Sequence, residues 1–419
     1  MSALFLFLSG LLAVALCLEP LTERLRLPFP TVLVLVGFIG SEAVVRLGWD
    51  TGLRADNFND LVVYVFLPVL IFATALGLDP RLLRRNLVPV LLLAIPLLLL
   101  STGTIALLVY LGIGHPTGFP WPAALITGAL LSATDPAAVA HLLRHLGGPE
   151  RVVILLEGEG LFNDAAAVVL FEVFLSTALH TGPTRSLTYL LREFLAGLCG
   201  GLAVGLGVAA VALLVLRWRR GPRYEALVVS LIAAYAAYLT SEAVVHVSGV
   251  MAVLATGLVL GAALRRPTRG GDARAGSPEP AQWAFNANLA DDLLFILMGA
   301  TVTVSMFEER WLAMLIAIGG ILAARTGVYL LMPLAAHLPP RAAIPRAYQT
   351  ALYWGGCRGA VTLALALALP VDLDYWWTIQ SIAFGVVVFN LFLQVPTTAP
   401  LLRHLRLTDA HCDAPGGQR

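Results

Sequence analysis

Charged residues are scarce in this chain. Asp, Glu, Lys and Arg make up 13% of its 419 residues, whereas hydrophobic residues make up 58%. This composition excludes a soluble multidomain protein, and it provides repeated apolar runs that can cross about 30 Å of hydrocarbon. The chain is therefore predicted to be an all-α polytopic membrane protein embedded in a lipid bilayer.

Lysine is absent, so every one of the 27 basic residues is arginine. The arginines are spread over many loops rather than gathered on one basic face, so no nucleic-acid partner is expected. The four cysteines show no metal-ligand or redox spacing. The chain also lacks an HExxH zinc motif and a Gly-x-Ser-x-Gly nucleophile elbow, and its Asp-containing segments do not resemble an intramembrane aspartyl protease. We therefore predict that the protein is not an enzyme and has no cofactor.

Thirteen apolar spans are separated by charged or Pro/Gly-rich breaks. They are 3–18, 31–47, 59–77, 87–112, 121–142, 152–180, 185–216, 225–241, 248–264, 288–307, 311–336, 348–370 and 378–401. The arginines fall mainly in alternate loops, which by the positive-inside rule places the amino terminus outside and the carboxyl terminus in the cytoplasm. The arginine-only basic composition and the lack of long extensions favour a bacterial chain, and hence the inner membrane.

An odd number of spans predicts an internal symmetry within one transporter domain, 1–419. Six spans (3–180), a linker helix (185–216) and six further spans (225–401) form two inverted repeats, followed by a short tail (402–419), as in many secondary transporters. The fifth span contains SATDPAAVAHLLRHLGG and the twelfth contains YWGGCRGAVTLALALALP. Interruptions at corresponding positions of two repeats indicate crossing broken helices at a binding site, although Pro and Gly can also merely kink a helix.

The sixth span carries acidic residues in EGEGLFNDAAAVVLFEV, 157–173. A rise of about 1.5 Å per residue places Asp164 roughly 20 Å and Glu159 about 12 Å from the cytoplasmic edge. Their side chains point about 140° apart, so they serve different environments. Arg325 of the eleventh span lies roughly 9 Å from the same edge. We therefore predict a buried ion pair between Glu159 and Arg325.

Asp135 and Arg358 lie within the two interrupted spans. A fixed Asp can neutralise the positive amino-terminal ends of two half-helices, and a fixed Arg can neutralise two carboxyl-terminal ends. Contact with a transported cation is a second interpretation for Asp135. Asp164 is then the deep carboxylate without a permanent cationic partner, and such a group can trade a proton for a cation. Asp291 and Asp292 are expected at the cytoplasmic edge or the domain interface, with the lining of an ion funnel as the alternative.

Three segments, taken together and in order, resemble the monovalent cation/proton antiporters of the NhaP kind, relatives of the animal NHE exchangers. They are ATDPAAV (133–139), GEGLFNDAAAVVLF (158–171) and GGCRGAVTLALAL (355–367), and the stretches 242–261 and 293–302 are also similar to family stretches. The resemblance implies the NhaA/NhaP-like antiporter fold, a homodimer, and a mobile core domain that works by elevator-like alternating access. It makes Asp164 the carrier of the cation and the proton.

The resemblance assigns further roles around that carrier. Asn163 stabilises the site, and Thr134 contributes oxygen, so that Asp164, Asn163 and Thr134 hold the monovalent cation. A buried Glu–Arg pair such as Glu159 with Arg325 is also expected in this family. An Asn-Asp pair is typical of members that exchange one cation for one proton without net charge movement.

Two positions depart from the family pattern. Gly160 stands where Ser is common, and Ala73, in FATAL, stands where a Glu is common. Both changes remove an oxygen from the neighbourhood of the cation. Na⁺ is the expected substrate, exchanged for H⁺, with Li⁺ or K⁺ as alternatives. A K⁺/H⁺ antiporter, a cation channel and a transport-inactive ion or pH sensor on the same fold remain open.

Overall fold

A computed structural model describes residues 9–18, 20, 28–46, 61–114, 118–179, 186–219, 223–265, 278–331 and 344–407 of the chain. Within these residues the secondary structure is helical and contains no strand. The helices are α1 Ser9–Leu18, α2 Phe29–Arg46, α3 Val62–Gly77, α4 Pro80–Arg85, α5 Leu87–Gly112, α6 Trp121–Ser132, α7 Ala137–His145, α8 Glu150–Leu179, α9 Leu187–Arg219, α10 Arg223–Leu239, α11 Gly249–Leu264, α12 Pro278–Thr301, α13 Val304–Leu331, α14 Arg346–Gly355, α15 Ala360–Leu367 and α16 Trp376–His404.

The structure confirms the predicted all-helical membrane class. Every predicted span overlaps at least one helix. Within the described residues, six helical spans are long and apolar enough to cross a bilayer, or up to seven if the bent pair α12 and α13 is one span. The number of thirteen crossings stays a prediction. Residues 3–8 of the first span and 408–419 of the predicted tail lie outside the described residues.

The predicted boundary between spans 288–307 and 311–336 is wrong. The helices are Pro278–Thr301 and Val304–Leu331, and they meet at an angle of 102°. Residues 304–307 therefore begin the second helix. The first helix begins ten residues before the prediction, because residues 278–287 (PEPAQWAFNA) contain two prolines and the polar residues Glu279, Gln282 and Asn286, which lower the local hydropathy without ending the helix.

The helices form two bundles. In the first, called the flanking bundle, α12 packs along α2 and α3, and α11 packs against α3, α9 and α10. In the second, called the central bundle, α5 packs against α6 and α13, α8 packs against α5 and α6, and α16 packs against α13 and α15. Contacts of α8 with α3, α9 and α11, and of α12 with α15, join the two bundles.

Both interrupted segments are broken helices within the central bundle. The first break separates α6 from α7 at residues 133–136, and the second separates α14 from α15 at residues 356–359. Pro136 has no amide hydrogen with which to continue the backbone hydrogen bonds of α6, and its ring disfavours a helical backbone conformation at Asp135. The two breaks are in direct contact, because the Asp135 amide donates to the Cys357 carbonyl at 2.8 Å. The two broken helices therefore cross at this point.

Candidate ion-binding site

One face of α8 lines a cavity of about 410 Å³ between the two bundles. This face consists of Glu157, Gly160, Leu161 and Asp164, whose spacing places them on one side of a helix. The break between α6 and α7 and the start of α15 complete the central-bundle wall, and α3 and α12 form the opposite wall. The cavity therefore reaches the predicted carrier residue from the interface between the bundles.

Asp164 has an unsatisfied oxygen at this cavity. Its Oδ1 is shielded from solvent and has no hydrogen-bond partner within the described residues. Its carboxylate interacts with the backbone amide of Thr134, and Asp135, Asp291 and Arg358 lie within electrostatic range. Buried polar atoms are nearly always paired, so an orphaned carboxylate oxygen needs an explanation. A transported cation or a proton would satisfy it.

Asn163 and Thr134 connect α8 to the first break. The Asn163 side-chain nitrogen donates to the Thr134 hydroxyl at 3.1 Å, and both residues are buried. The Asn163 Oδ1 has no partner among the described residues. Thr134 thus touches both members of the Asn-Asp pair, through its hydroxyl and through its amide. This arrangement holds the broken backbone beside the Asp164 carboxylate.

Asp135 faces the amino-terminal ends of two half-helices. Its Oδ1 accepts a hydrogen bond from the Ala137 amide at 3.0 Å, and its carboxylate also interacts with the Ala360 amide. Ala137 and Ala360 are the first residues of α7 and α15. Gly359 makes this approach possible, because a Cβ at that position would overlap the Asp135 carboxylate. A negative charge here stabilises two positive helix ends.

Arg358 faces the opposite ends of the broken helices. Its Nε donates to the Leu131 carbonyl at 2.8 Å and its Nη1 donates to the Gly356 carbonyl at 2.6 Å. These carbonyls belong to the carboxyl-terminal ends of α6 and α14, which carry negative partial charge. The Arg358 carbonyl in turn accepts from the Asn390 side chain at 3.2 Å. The buried guanidinium therefore binds the two ends that Asp135 does not reach.

Glu159 lies on another face of α8 from Asp164. Its Oε1 lies 2.8 Å from Arg325 Nη1, and the two side chains are 6% and 7% exposed. Arg325 also approaches the Leu352 carbonyl of α14 at 3.4 Å. The pair therefore ties α8 to α13 and α14 within the central bundle, away from the cavity.

Asp291 of α12, for which the sequence left several environments open, lines the cavity between the two bundles. The structure also adds residues that the sequence reasoning did not place: Asn288 of α12 and Thr74 of α3 line the cavity from the flanking bundle, and Arg144 binds Glu157 at 2.5 Å beside it. A second cavity, of about 280 Å³, lies farther along α8. The acidic residues that line it are Glu172, Glu193 and Glu242. Glu172 could have been noticed as a carboxylate within the apolar run that follows Asp164.

Comparison with known proteins shows the family. The sequence profile described as "Sodium/hydrogen exchanger, transmembrane" matches residues 10–404. The Na(+)/H(+) antiporter ApNhaP of Aphanothece halophytica is 33% identical over 91% of this chain and 70% of the relative. The Na(+)/H(+) antiporter NhaP of Pseudomonas aeruginosa is 31% identical over 84% of this chain and 83% of the relative.

A solved structure has the same fold. The sodium proton antiporter MjNhaP1 from Methanocaldococcus jannaschii at pH 8 matches with a TM-score of 0.72 over 97% of both chains, at 22% sequence identity. The two bundles, the crossing broken helices and the Asn-Asp pair beside them define an integral membrane transporter of the antiporter fold. The chain belongs to the sodium/hydrogen exchanger family, and it is a cation/proton antiporter of the NhaP/NHE type.

Proposed function

We propose that the protein exchanges a monovalent cation, Na⁺ in the first place, for H⁺ through Asp164. The observation that carries the proposal is the Asp164 Oδ1 atom, which is shielded, unpaired among the described residues, and located at a cavity between two helix bundles. The Na(+)/H(+) antiporter names of the relatives support the choice of ions. In this mechanism the cation and the proton are substrates of the protein.

Exchange follows from competition for one carboxylate. A buried carboxylate is costly unless its charge is compensated, and either a proton or a cation can compensate it. Asp135 and Glu159 already have partners, namely two helix ends and Arg325. One carrier group that binds either ligand but not both moves one cation against one proton. The exchange would then be electroneutral.

Alternating access by an elevator-like movement fits the distribution of these residues. Asp164, both breaks and the Glu159–Arg325 pair lie within the central bundle, so they can move together without losing their mutual contacts. The flanking bundle supplies only the opposite wall of the cavity. A displacement of the central bundle along the flanking bundle would carry Asp164 from one side of the membrane to the other. The two inverted six-span repeats, with 185–216 as the linker, are part of the same proposal.

The choice between Na⁺, Li⁺ and K⁺ depends on oxygen ligands. Gly160 and Ala73 line the cavity but bring no side-chain oxygen to it. Na⁺ would therefore be bound by Asp164, by the oxygens of Asn163 and Thr134, and by water. A site with few fixed oxygens can also take the larger K⁺, and K⁺/H⁺ exchange is the second candidate.

The proposal is tested with the purified protein in liposomes that hold a pH-sensitive dye and an imposed pH gradient. Addition of Na⁺, Li⁺ or K⁺ should dequench the dye in the wild type and not in Asp164→Asn. Asp372→Asn is the matched control, because it makes the same chemical change on an exposed residue outside the cavity. Absence of dequenching with every ion in correctly folded wild type would overturn the antiporter proposal.

Measurements in the same vesicles distinguish an antiporter from a cation channel and from a transport-inactive sensor. An antiporter saturates with cation and depends reciprocally on H⁺ on the opposite side. A channel would conduct cation without proton movement and would respond to an imposed voltage. A sensor would bind cation, seen as a cation-dependent rise in melting temperature, without any flux.

The assembly and orientation are proposed on the family resemblance and the arginine distribution. We propose a homodimer in the bacterial inner membrane with the amino terminus outside and the carboxyl terminus cytoplasmic. Mass photometry in nanodiscs would measure the oligomeric state. Protease access to a carboxyl-terminal tag in intact cells would measure the orientation of the carboxyl terminus. A monomeric mass, or cleavage of the tag from outside, would contradict these two proposals.

A further inference from the structure

The second break leaves backbone carbonyls without helical partners, and α16 supplies donors for two of them. Because α14 ends at Gly355, the Trp354 carbonyl lacks the backbone amide that a continuing helix would provide. The Gln394 side-chain nitrogen donates to this carbonyl at 2.6 Å. The Asn390 side-chain nitrogen donates to the Arg358 carbonyl at 3.2 Å. One helix therefore holds the chain both before the second break and within it.

The two amides lie on an irregular turn of α16. Residues Asn390–Gln394 form a π-helical turn, in which the Val395 amide donates to the Asn390 carbonyl, five residues back. Such a turn adds one residue to an α-helix and is frequent at functional sites. Both amide side chains are buried, and neither lines the cavity at Asp164. They can therefore affect the carrier only through other residues.

The link between α16 and α14 runs in both directions. Gln394 donates to the Trp354 carbonyl, and the Trp354 indole nitrogen donates to the Gln394 carbonyl at 3.2 Å. The same indole nitrogen lies 3.1 Å from the Thr397 hydroxyl, to which it also donates. These bonds fix the last turn of α14, where the second break begins, against α16.

The second break is joined to the carrier through the first break. The Cys357 carbonyl accepts a hydrogen bond from the Asp135 amide at 2.8 Å. Thr134, the residue before Asp135, interacts through its amide with the Asp164 carboxylate. A buried carbonyl that loses its donor is costly, so removal of either α16 amide should make the second break shift towards another partner. Such a shift would be passed through the first break to a direct neighbour of the carrier.

We propose that Asn390 and Gln394 are positioning residues for exchange, which hold the second break, and through it Thr134, in the geometry that binds the cation at Asp164. The inference rests on the proposed antiport function. Because α16 and both breaks belong to the central bundle, their contacts persist throughout the proposed elevator movement. The two amides therefore set the affinity for the cation equally on the two faces of the membrane.

The experiment measures KM and maximal rate for Na⁺ in liposomes that contain Gln394→Met or Asn390→Leu. Each variant roughly keeps the size of the side chain and removes the donor, so KM should rise about tenfold. The maximal rate per folded protein should change little, and the rise in KM should be the same for Na⁺ added on either side of the membrane. Size-exclusion chromatography measures the folded fraction of each variant.

Gln380→Met is the matched control. Gln380 also lies on α16, is also buried, and donates to the Ala366 carbonyl at 3.0 Å, at the opposite end of α15 from the second break. Its loss should leave KM unchanged. A double-mutant cycle tests the connection to the carrier: the effect of Thr134→Val on KM should be non-additive with Gln394→Met and additive with Gln380→Met.

Several results would overturn the positioning role. They are a loss of maximal rate at unchanged KM, a change of KM on one face only, and an equal rise of KM in Gln380→Met. If the two variants do not fold, Trp354→Phe, which removes only the bond returned to α16, should still raise KM by a smaller factor, and an unchanged KM would contradict the proposal.

Hydrogen exchange in detergent tests the same role without transport. The amides of residues 355–361 should exchange faster in Gln394→Met than in the wild type or in Gln380→Met, because the break is held less firmly. Equal exchange in all three proteins would refute the positioning role. Failure of the antiport function itself would appear differently, as absence of flux in the wild type.

Discussion

Arg325 Nη1 lies 2.8 Å from Glu159 Oε1, with both side chains almost entirely buried. The pair joins α8, which carries Asp164, to α13, and through the Leu352 carbonyl it reaches α14 beside the second break. It therefore fixes the carrier helix relative to one of the broken helices. Neither residue lines the cavity at Asp164, which supports the predicted structural role of the pair.

Removal of one partner should destabilise the protein strongly. Glu159→Ala or Arg325→Ala leaves an uncompensated buried charge, which costs about 3–5 kcal/mol. The double variant Glu159→Met/Arg325→Met removes both charges and should recover much of this loss. The exposed pair Arg46 with Glu42, 3.7 Å apart, is the control, and its loss should cost less than about 1 kcal/mol. Melting temperature in detergent measures each effect, and equal losses from the two pairs would contradict the prediction.

Gly160 should be intolerant of a side chain despite the family preference for serine. A Cβ there would lie 2.5 Å from the Pro136 Cδ and 2.9 Å from the Thr134 carbonyl oxygen, so the first break would have to shift. Gly160→Ala and Gly160→Ser should each lower stability by about 1–3 kcal/mol and slow exchange. Gly319→Ala, in a helix where a Cβ meets nothing, is the control. Faster exchange by Gly160→Ser would show instead that the missing hydroxyl limits cation binding.

A cross-link between the bundles should stop exchange. A Cβ at Gly197 of α9 would lie 2.8 Å from Val169 Cγ1 of α8, so Val169→Cys with Gly197→Cys places a disulfide across the bundle interface. Oxidation should abolish exchange and reduction should restore it, in a background without native cysteines. Ala75→Cys with Gly257→Cys is the control, because that pair lies within the flanking bundle. Exchange that persists with a complete cross-link between the bundles would contradict movement along this interface.

Protons should compete with the cation. If Asp164 binds either ligand, each pH unit of acidification should raise KM for Na⁺ by up to about tenfold while the maximal rate at saturating Na⁺ changes little. Initial rates over a range of Na⁺ concentrations at several pH values measure this. Noncompetitive inhibition, in which acid lowers the maximal rate at constant KM, would indicate separate sites for the two ions.

Much of the fold follows from the sequence because lipid restricts the choices. Apolar length and the Pro/Gly interruptions predict the helices and the two breaks, and helix geometry predicts that Glu159 and Asp164 face different surroundings. The start of α12 could not be predicted in this way. Its first ten residues, PEPAQWAFNA, contain two prolines and three polar residues, so they resemble a loop in a hydropathy profile although the helix includes them.

The candidate site, like the fold, could be predicted only in part from the sequence. Asp164 stands out because it is a carboxylate in an apolar run with no basic residue at helical spacing. For Asp291 the sequence leaves more than one environment open, because its position depends on which face of α12 lines the cavity and meets α15 across the bundle interface. Such placement is set by tertiary packing between segments that are far apart in the chain. The local sequence pattern around Asp291 therefore does not predict this placement.

The most direct measurement is parallel counting of ²²Na⁺ uptake and H⁺ release in the same proteoliposomes, with membrane potential clamped by K⁺ and valinomycin. Exchange through Asp164 predicts equal fluxes of Na⁺ and H⁺, no dependence of either on the clamped potential, and loss of both in Asp164→Asn. Na⁺ uptake without H⁺ release, or a rate that follows the potential, would contradict electroneutral exchange through a single carboxylate.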